Sequence, residues 1–198
     1  MHFYLSLAIL AFMEGALIFK RSFLKKHAKA IFVFSIAVIF LVGLYYSFDL
    51  YSVWKTNPVT AAMLPPTSPI NYFIFYVFVW AFAPYVLSLM AALVFFLAFR
   101  ISNKKSGEKY FENEEPWFAA TAIFLCSWPG WLVYLVCLIL IYLLIHLFSK
   151  IKAKFLNQTP KSERIPLYYL WVPLAIFVIV ACQLWLPAIL PFWSKLLL

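Results

Sequence analysis

The chain has 198 residues, of which 66% are hydrophobic and only 12% charged. A soluble domain of this size is nearer half apolar and a quarter charged, and its small core cannot hide such an excess. The formal net charge of +9 is gathered in short segments between apolar runs, a pattern that orients membrane helices and does not describe a nucleic-acid surface.

A bilayer accepts this composition, and within it only helices or a closed barrel pair every backbone N–H and C=O. The apolar runs are continuous and do not alternate, which favours helices. The expected fold class is all-α: one polytopic transmembrane helical bundle over 1–198, with about six membrane segments.

A span needs about 20 apolar residues. The first run, 3–19, lacks a basic start and carries Glu14 in its middle, so it reads as a retained span and not a cleaved leader. A basic loop is expected from Lys20 to Lys29, with Lys20, Arg21, Lys25, Lys26 and Lys29. The second run is 30–48. The stretch 49–69 holds Asp49, Lys55, Asn57, Pro58 and Leu64-Pro65-Pro66-Thr67-Ser68-Pro69, and its prolines favour an extended loop. The third run, 70–99, contains Pro84 and is either one long kinked helix or two short arms.

The second charged segment, 100–116, opens with Arg100, Lys104, Lys105 and Lys109 and closes with Glu112, Glu114 and Glu115 before Pro116. Proline suits a first helical turn, and acids favour the positive helix N-terminus. The run 117–148 is broken at Ser127-Trp128-Pro129-Gly130-Trp131, where Pro-Gly signals a turn. Its arms are 117–127 and 131–148. A third basic segment, 150–164, carries Lys150, Lys152, Lys154, Lys161 and Arg164. The last run, 166–186, fades towards Pro187 and Pro191, and Phe192-Trp193-Ser194-Lys195 reads as an interfacial anchor.

If the three basic segments (20–29, 100–116 and 150–164) are cytoplasmic, an even number of spans separates each pair. Two lie between the first and second. Between the second and third lies only 117–148, which must go in and come back, turning at Trp128, Pro129 and Gly130. Its first arm reaches about 16 Å, half the hydrocarbon core, so the pair is re-entrant or asymmetric. Both termini are then outside. A bacterial cytoplasmic membrane is the expected location.

Glu14 is the sharpest single signal, because an intramembrane acid is a functional candidate by default. Ala8, Ala11 and Gly15 lie near it on one face and suit close helix packing. A proton-relay or ligand role competes with a role in fixing helix association. Asp49 ends the second run and reads as a boundary residue. Cys126, Cys137 and Cys182 form no metal spacing and read as small hydrophobes. His2, His27 and His146 offer no facing pair for haem. No metal or other cofactor is implied.

Three stretches resemble the type IV prepilin peptidases, polytopic membrane aspartyl proteases. Phe48-Asp49-Leu50 with Lys55 and Pro58 is similar to the family's first catalytic aspartate and the basic loop after it. Phe111-Glu112-Asn113-Glu114-Glu115 before Trp117-Phe118-Ala119-Ala120, with Trp128-Pro129-Gly130 beyond, resembles the second site. Arg164-Ile165-Pro166-Leu167 is similar to a stretch near the family's end. The resemblance implies catalytic roles for Asp49 and Glu115. Glu112 and Glu114 replace the two glycines of the family's Gly-x-Gly-Asp motif, and Glu115 its aspartate. The charge-based topology sets Asp49 and Glu115 on opposite sides.

The leading expectation is a non-catalytic or accessory subunit of a larger membrane complex, with the bilayer and other membrane-protein subunits as partners and no nucleic acid. An intramembrane aspartyl protease using Asp49 and Glu115 is the first alternative. A small transporter or proton-conducting subunit using Glu14 is the second.

Overall fold

The computed structural model describes residues 2–105, 112–155 and 168–189. Within them the chain forms helices and turns and no strand. Of the sequence features above, Lys109, Phe111, 156–167 with Arg164 and Pro166, and the 190–198 tail lie outside the described residues.

Helix α1 (His2–Phe19) is separated from α2 (Arg21–Thr56) by Lys20 alone. The basic segment 20–29 is thus mostly the opening turns of α2 and not a loop. Lysine and arginine are good helix formers, and no glycine or proline interrupts them. α2 also continues through Asp49, which is exposed, and stops at Asn57-Pro58. Proline pushes its predecessor out of the helical region, and Asn57 sits at φ −91°, ψ 122°. Its side chain accepts a hydrogen bond from the Val59 N–H and so starts the single turn α3 (Pro58–Ala61). The 49–69 stretch is therefore largely helical up to Ala61.

Helix α4 (Asn71–Val77) passes through a π-helical turn, Phe78–Phe82, into α5 (Ala83–Lys105). Residues 70–99 form one long path and not two arms. Next come α6 (Glu115–Leu125), α7 (Gly130–Phe155) and α8 (Tyr168–Val180). A second π-helical turn, Ala181–Trp185, leads to α9 (Leu186–Ile189). Three helices are long and apolar enough to cross a bilayer: Arg21–Thr56, Asn71–Lys105 and Gly130–Phe148. Phe3–Phe19 and Leu170–Trp185 are shorter apolar helices.

The core is organised around the shortest of the main helices. Every residue of α6 from Phe118 to Leu125 is buried. The helix packs against α2, α5, α7 and α8, while α1 packs on α2 and α8. Ala119, Ala120, Thr121 and Ala122 account for this: small side chains let neighbours approach from several directions. Phe118 and Phe124 fill the remaining space, with Trp117 against Phe96 (centroids 4.2 Å apart) and Phe124 against Tyr85 (5.8 Å).

The long helices divide into two zones. Buried residues of α2 recur as Leu24, Ala28, Phe32, Ser35, Ile39 and Gly43, then not again until Trp54. The first stripe spans about 29 Å at 1.5 Å per residue, close to a hydrocarbon thickness. Past Gly43 the two long helices form an arm with its own small core of Trp54, Leu64, Phe73, Val77 and Ala81. Gly43 marks the junction, since a Cβ there would stand 3.0 Å from the Phe82 ring.

Candidate functional site at the turn between α6 and α7

Two polar constellations lie at opposite ends of α6. At its N-terminal end, Glu114 precedes the helix, Glu115 begins it and Pro116 follows in the first turn. Glu115 is only 3% exposed, a placement its position at a positive helix terminus favours. Glu112 and Glu114 turn to the start of α2. The Lys25 ammonium donates to the Glu112 carboxylate and stands 2.9 Å from Glu114, while Arg21 lies 3.6 Å from Glu112. The Lys25 hydrogen bond is the main force holding the Glu112 carboxyl below its usual value. Hydrogen bonds to Glu112 and then Glu114 push Lys25 upward. This cluster clamps the entry of α6 to α2. It is a structural tie, and sequence reading, which took the glutamates as helix-terminal acids, a cation or partner site, or a degenerate protease motif, did not pair them with Lys25.

At the other end a short turn separates α6 from α7. Cys126 closes α6 and Ser127 adopts φ 50°, a left-handed conformation that ends helices and that few non-glycine residues adopt. The Trp128 N–H then bonds the Pro84 carbonyl at 3.3 Å, tying the turn to α5. The Trp131 N–H bonds the Ser127 carbonyl at 2.9 Å and opens α7. Gly130 packs beside the second π-helical turn, where a Cβ would meet the Cys182 sulfur at 3.6 Å, an ordinary contact. The expected turn residues Trp128, Pro129 and Gly130 do connect two helices here.

Both π-helical turns flank this connection, and both stand in the same relation to a proline. The Ala83 N–H bonds the Phe78 carbonyl, one residue farther back than in an α-helix. The next residue, Pro84, has no N–H, so the Val79 carbonyl is left without a helix donor. Likewise the Leu186 N–H bonds the Ala181 carbonyl, and Pro187 leaves the Cys182 carbonyl without one.

Between these elements is a cavity of about 230 Å³. Phe3, Trp80, Leu125 and Ile179 supply apolar wall, and Ser6, Tyr85, Ser127 and Gln183 supply polar groups. Ser6 is 1% exposed. Its hydroxyl lies within hydrogen-bonding reach of the Tyr85 hydroxyl, which also reaches Ser127, and its buried Oγ has no other partner. The described lining holds no carboxylate, imidazole, lysine or arginine. It can therefore bind by hydrogen bonding and shape, but it offers no acid–base pair for hydrolysis.

The other predicted residues fall elsewhere. Asp49 is exposed on the arm, whereas Glu115 is buried at the α2-facing end of α6 near Lys25. From Lys25 to Asp49 along α2 is about 36 Å at 1.5 Å per residue, so the two carboxylates are not brought together. Glu14 is half-buried, with its Oε2 shielded and unbonded. Ala8 and Ala11 are exposed, and a side chain at Gly15 would meet nothing within 4 Å. The face they form is uncovered within this chain. Among the described residues, no cluster of three His, Cys, Asp or Glu could hold a metal.

Sequence reading missed Ser6, Tyr85 and Gln183 because isolated polar residues in apolar runs carry no spacing signal. Pro84 and Pro187 were visible, but a π-helical turn ahead of each was not. No family model matches the chain, and neither does any characterised protein or solved structure.

Proposed function

We propose that the chain is a multi-pass membrane protein serving as a non-catalytic subunit of a larger membrane complex, docked through the outer face of α1. The observation that carries this reading is the uncovered Ala8, Ala11 and Gly15 surface beside Glu14. The core side of α1 is Ser6, Ile9, Leu10, Met13 and Leu17. Small residues gain little against fluid lipid but let a second helix approach closely. Glu14 lies at the seam between the two sides, and an intramembrane carboxyl without a full set of partners costs a few kcal/mol. A docking helix would relieve that cost.

The proposed topology has six segments, with 117–148 entering and returning from the side of the basic segments, both termini opposite, and a bacterial cytoplasmic membrane as the setting. The clamp between Lys25 and Glu112 supports it, because it joins the first two basic segments at one end of the bundle.

Purification in mild detergent tests the subunit reading. The expected result is a defined hetero-assembly that Ala11→Leu and Gly15→Leu dissociate without changing the helical content of this chain. A stable lone monomer, or variants that assemble like the parent, would overturn it.

A second reading, a small transporter or proton-conducting unit, is favoured by the polar cavity beside the broken α6–α7 pair, since discontinuous helices often frame solute sites. If Glu14 conducts protons, Glu14→Gln abolishes flux in proteoliposomes; unchanged flux eliminates that role. The prepilin-peptidase reading gains no support, because a shared-proton dyad needs its carboxyls in contact.

A further inference from the structure

We infer that the cavity at the α6–α7 turn binds the neutral, hydrogen-bonding head of an amphiphile, a hydroxyl or carbonyl group carried on an apolar chain. The inference rests on the bilayer reading and is independent of any partner subunit.

Depth is the first argument. The apolar part of α2, from Ala30 to Phe48, has its middle at Ile39. Next to it Phe40 stacks on Phe82, and on the adjoining turn of α5 Tyr85 meets Phe124 near the end of α6. The turn is thus level with the middle of the apolar run 30–48 of α2. Irregular backbone at that depth persists only where protein covers it or a polar cavity solvates it. Here it is gathered from three places at once, the two proline-ended π-helical turns and the left-handed Ser127.

Lining chemistry is the second. Ser6 is buried, lines the cavity and has no hydrogen-bond partner beyond its approach to the Tyr85 hydroxyl, which leaves part of its capacity unused. Buried hydroxyls are nearly always satisfied, so this one points to a group that completes it. Gln183 and the Tyr85 and Ser127 hydroxyls add both donors and acceptors. With no charged side chain in the described lining, an ionised ligand would be buried without a counter-charge, which is strongly unfavourable. A neutral head is what remains.

Size and access are the third. A volume of about 230 Å³ corresponds to roughly eight waters at about 30 Å³ each. That suits a headgroup and not a whole lipid. Trp80, 45% exposed, stands on the rim with half-buried Trp128, so an apolar tail can leave past aromatic side chains into lipid.

The test is photolabelling of the purified full chain in detergent with a diazirine-bearing long-chain alcohol, mapped by mass spectrometry. Labelling is expected to concentrate on the segments around Trp80–Tyr85 and Ser127–Trp131. Unlabelled dodecanol should compete, and neither dodecane nor ionised dodecanoate should. Ser6→Ala and Gln183→Leu should each reduce site labelling several-fold while the thermal melt stays unchanged. Ser6→Ala removes only a hydroxyl whose one near partner is the Tyr85 hydroxyl, and the competition arm uses the unaltered protein. Uniform labelling of all lipid-facing helices, equal competition by dodecane, or undiminished labelling of both variants would overturn the proposal and indicate a water-filled pocket.

Discussion

The bundle around α6 and the arm beyond Gly43 are built from the same kinds of residue, yet one is closed and the other open. In the bundle, α6 loses nearly all of its surface to four neighbours. In the arm, Leu44, Tyr45, Tyr46, Phe48, Tyr72, Ile74, Phe75 and Phe78 all remain exposed. The difference teaches that hydrophobicity does not decide what is inside in a chain of this composition. Small side chains contribute: alanines and a threonine mark α6 as a helix that neighbours can enclose, while most of the arm's large aromatics stay exposed.

The sharpest way to break the comparison is to hollow out the closed region. Phe124→Ala removes a fully buried ring that contacts Phe32 and Tyr85. A loss of about 3–5 kcal/mol is expected, read as a lowered denaturation midpoint in detergent. Trp54→Ala removes the centre of the arm's cluster. It should raise proteolytic cutting near 57–70 while leaving the bundle's melting unchanged. If both variants melted alike, the two regions would be one cooperative unit.

Gly43→Val acts at the junction. Its branched side chain would press on the Phe82 ring, which already lies 3.0 Å from a Cβ position. Overpacking of this kind costs about 1–3 kcal/mol, and hydrogen exchange should rise at 78–84 more than around α6.

A smaller effect is expected at the clamp. Glu112 is held below the ordinary carboxylate value of 4.5, so its contribution is present above that pH and is lost as pH falls through the lower folded value. Lys25 is raised above 10.5, so its contribution is present below that pH and is lost as pH rises through the higher folded value. The tie is therefore strongest between the two. Both groups are partly exposed, which limits its worth to about 0.2–1 kcal/mol. Lys25→Met should flatten the acid limb of the stability profile, and a profile identical to the parent's would exclude the clamp. Smallest of all is Tyr46→Ser on the open arm, expected to change folding stability by less than about 0.5 kcal/mol.

Much of this fold was legible in the sequence, for reasons tied to particular residues. The α6 entry was marked by Glu114, Glu115 and Pro116, and the turn by Trp128, Pro129 and Gly130. The three long apolar helices followed from apolar length. Boundaries did not: lysines at 20–29 read as loop because charge signals topology, but nothing in them breaks a helix. Asp49 read as a helix end for the same reason. The cavity was least legible. Its hydroxyls come from α1, α5 and the turn, and apolar helices lack the amphipathic pattern that would have shown which faces converge.

The proposed topology requires α6 and α7 to turn back together, so that the basic ends share one side. Single cysteines at exposed Lys26, Asn113, Lys150 and Asn57, probed with an impermeant maleimide in oriented vesicles, test this directly. Positions 26, 113 and 150 should label from one face only, and position 57 from the other alone. Labelling of 113 and 150 from opposite faces would contradict the account.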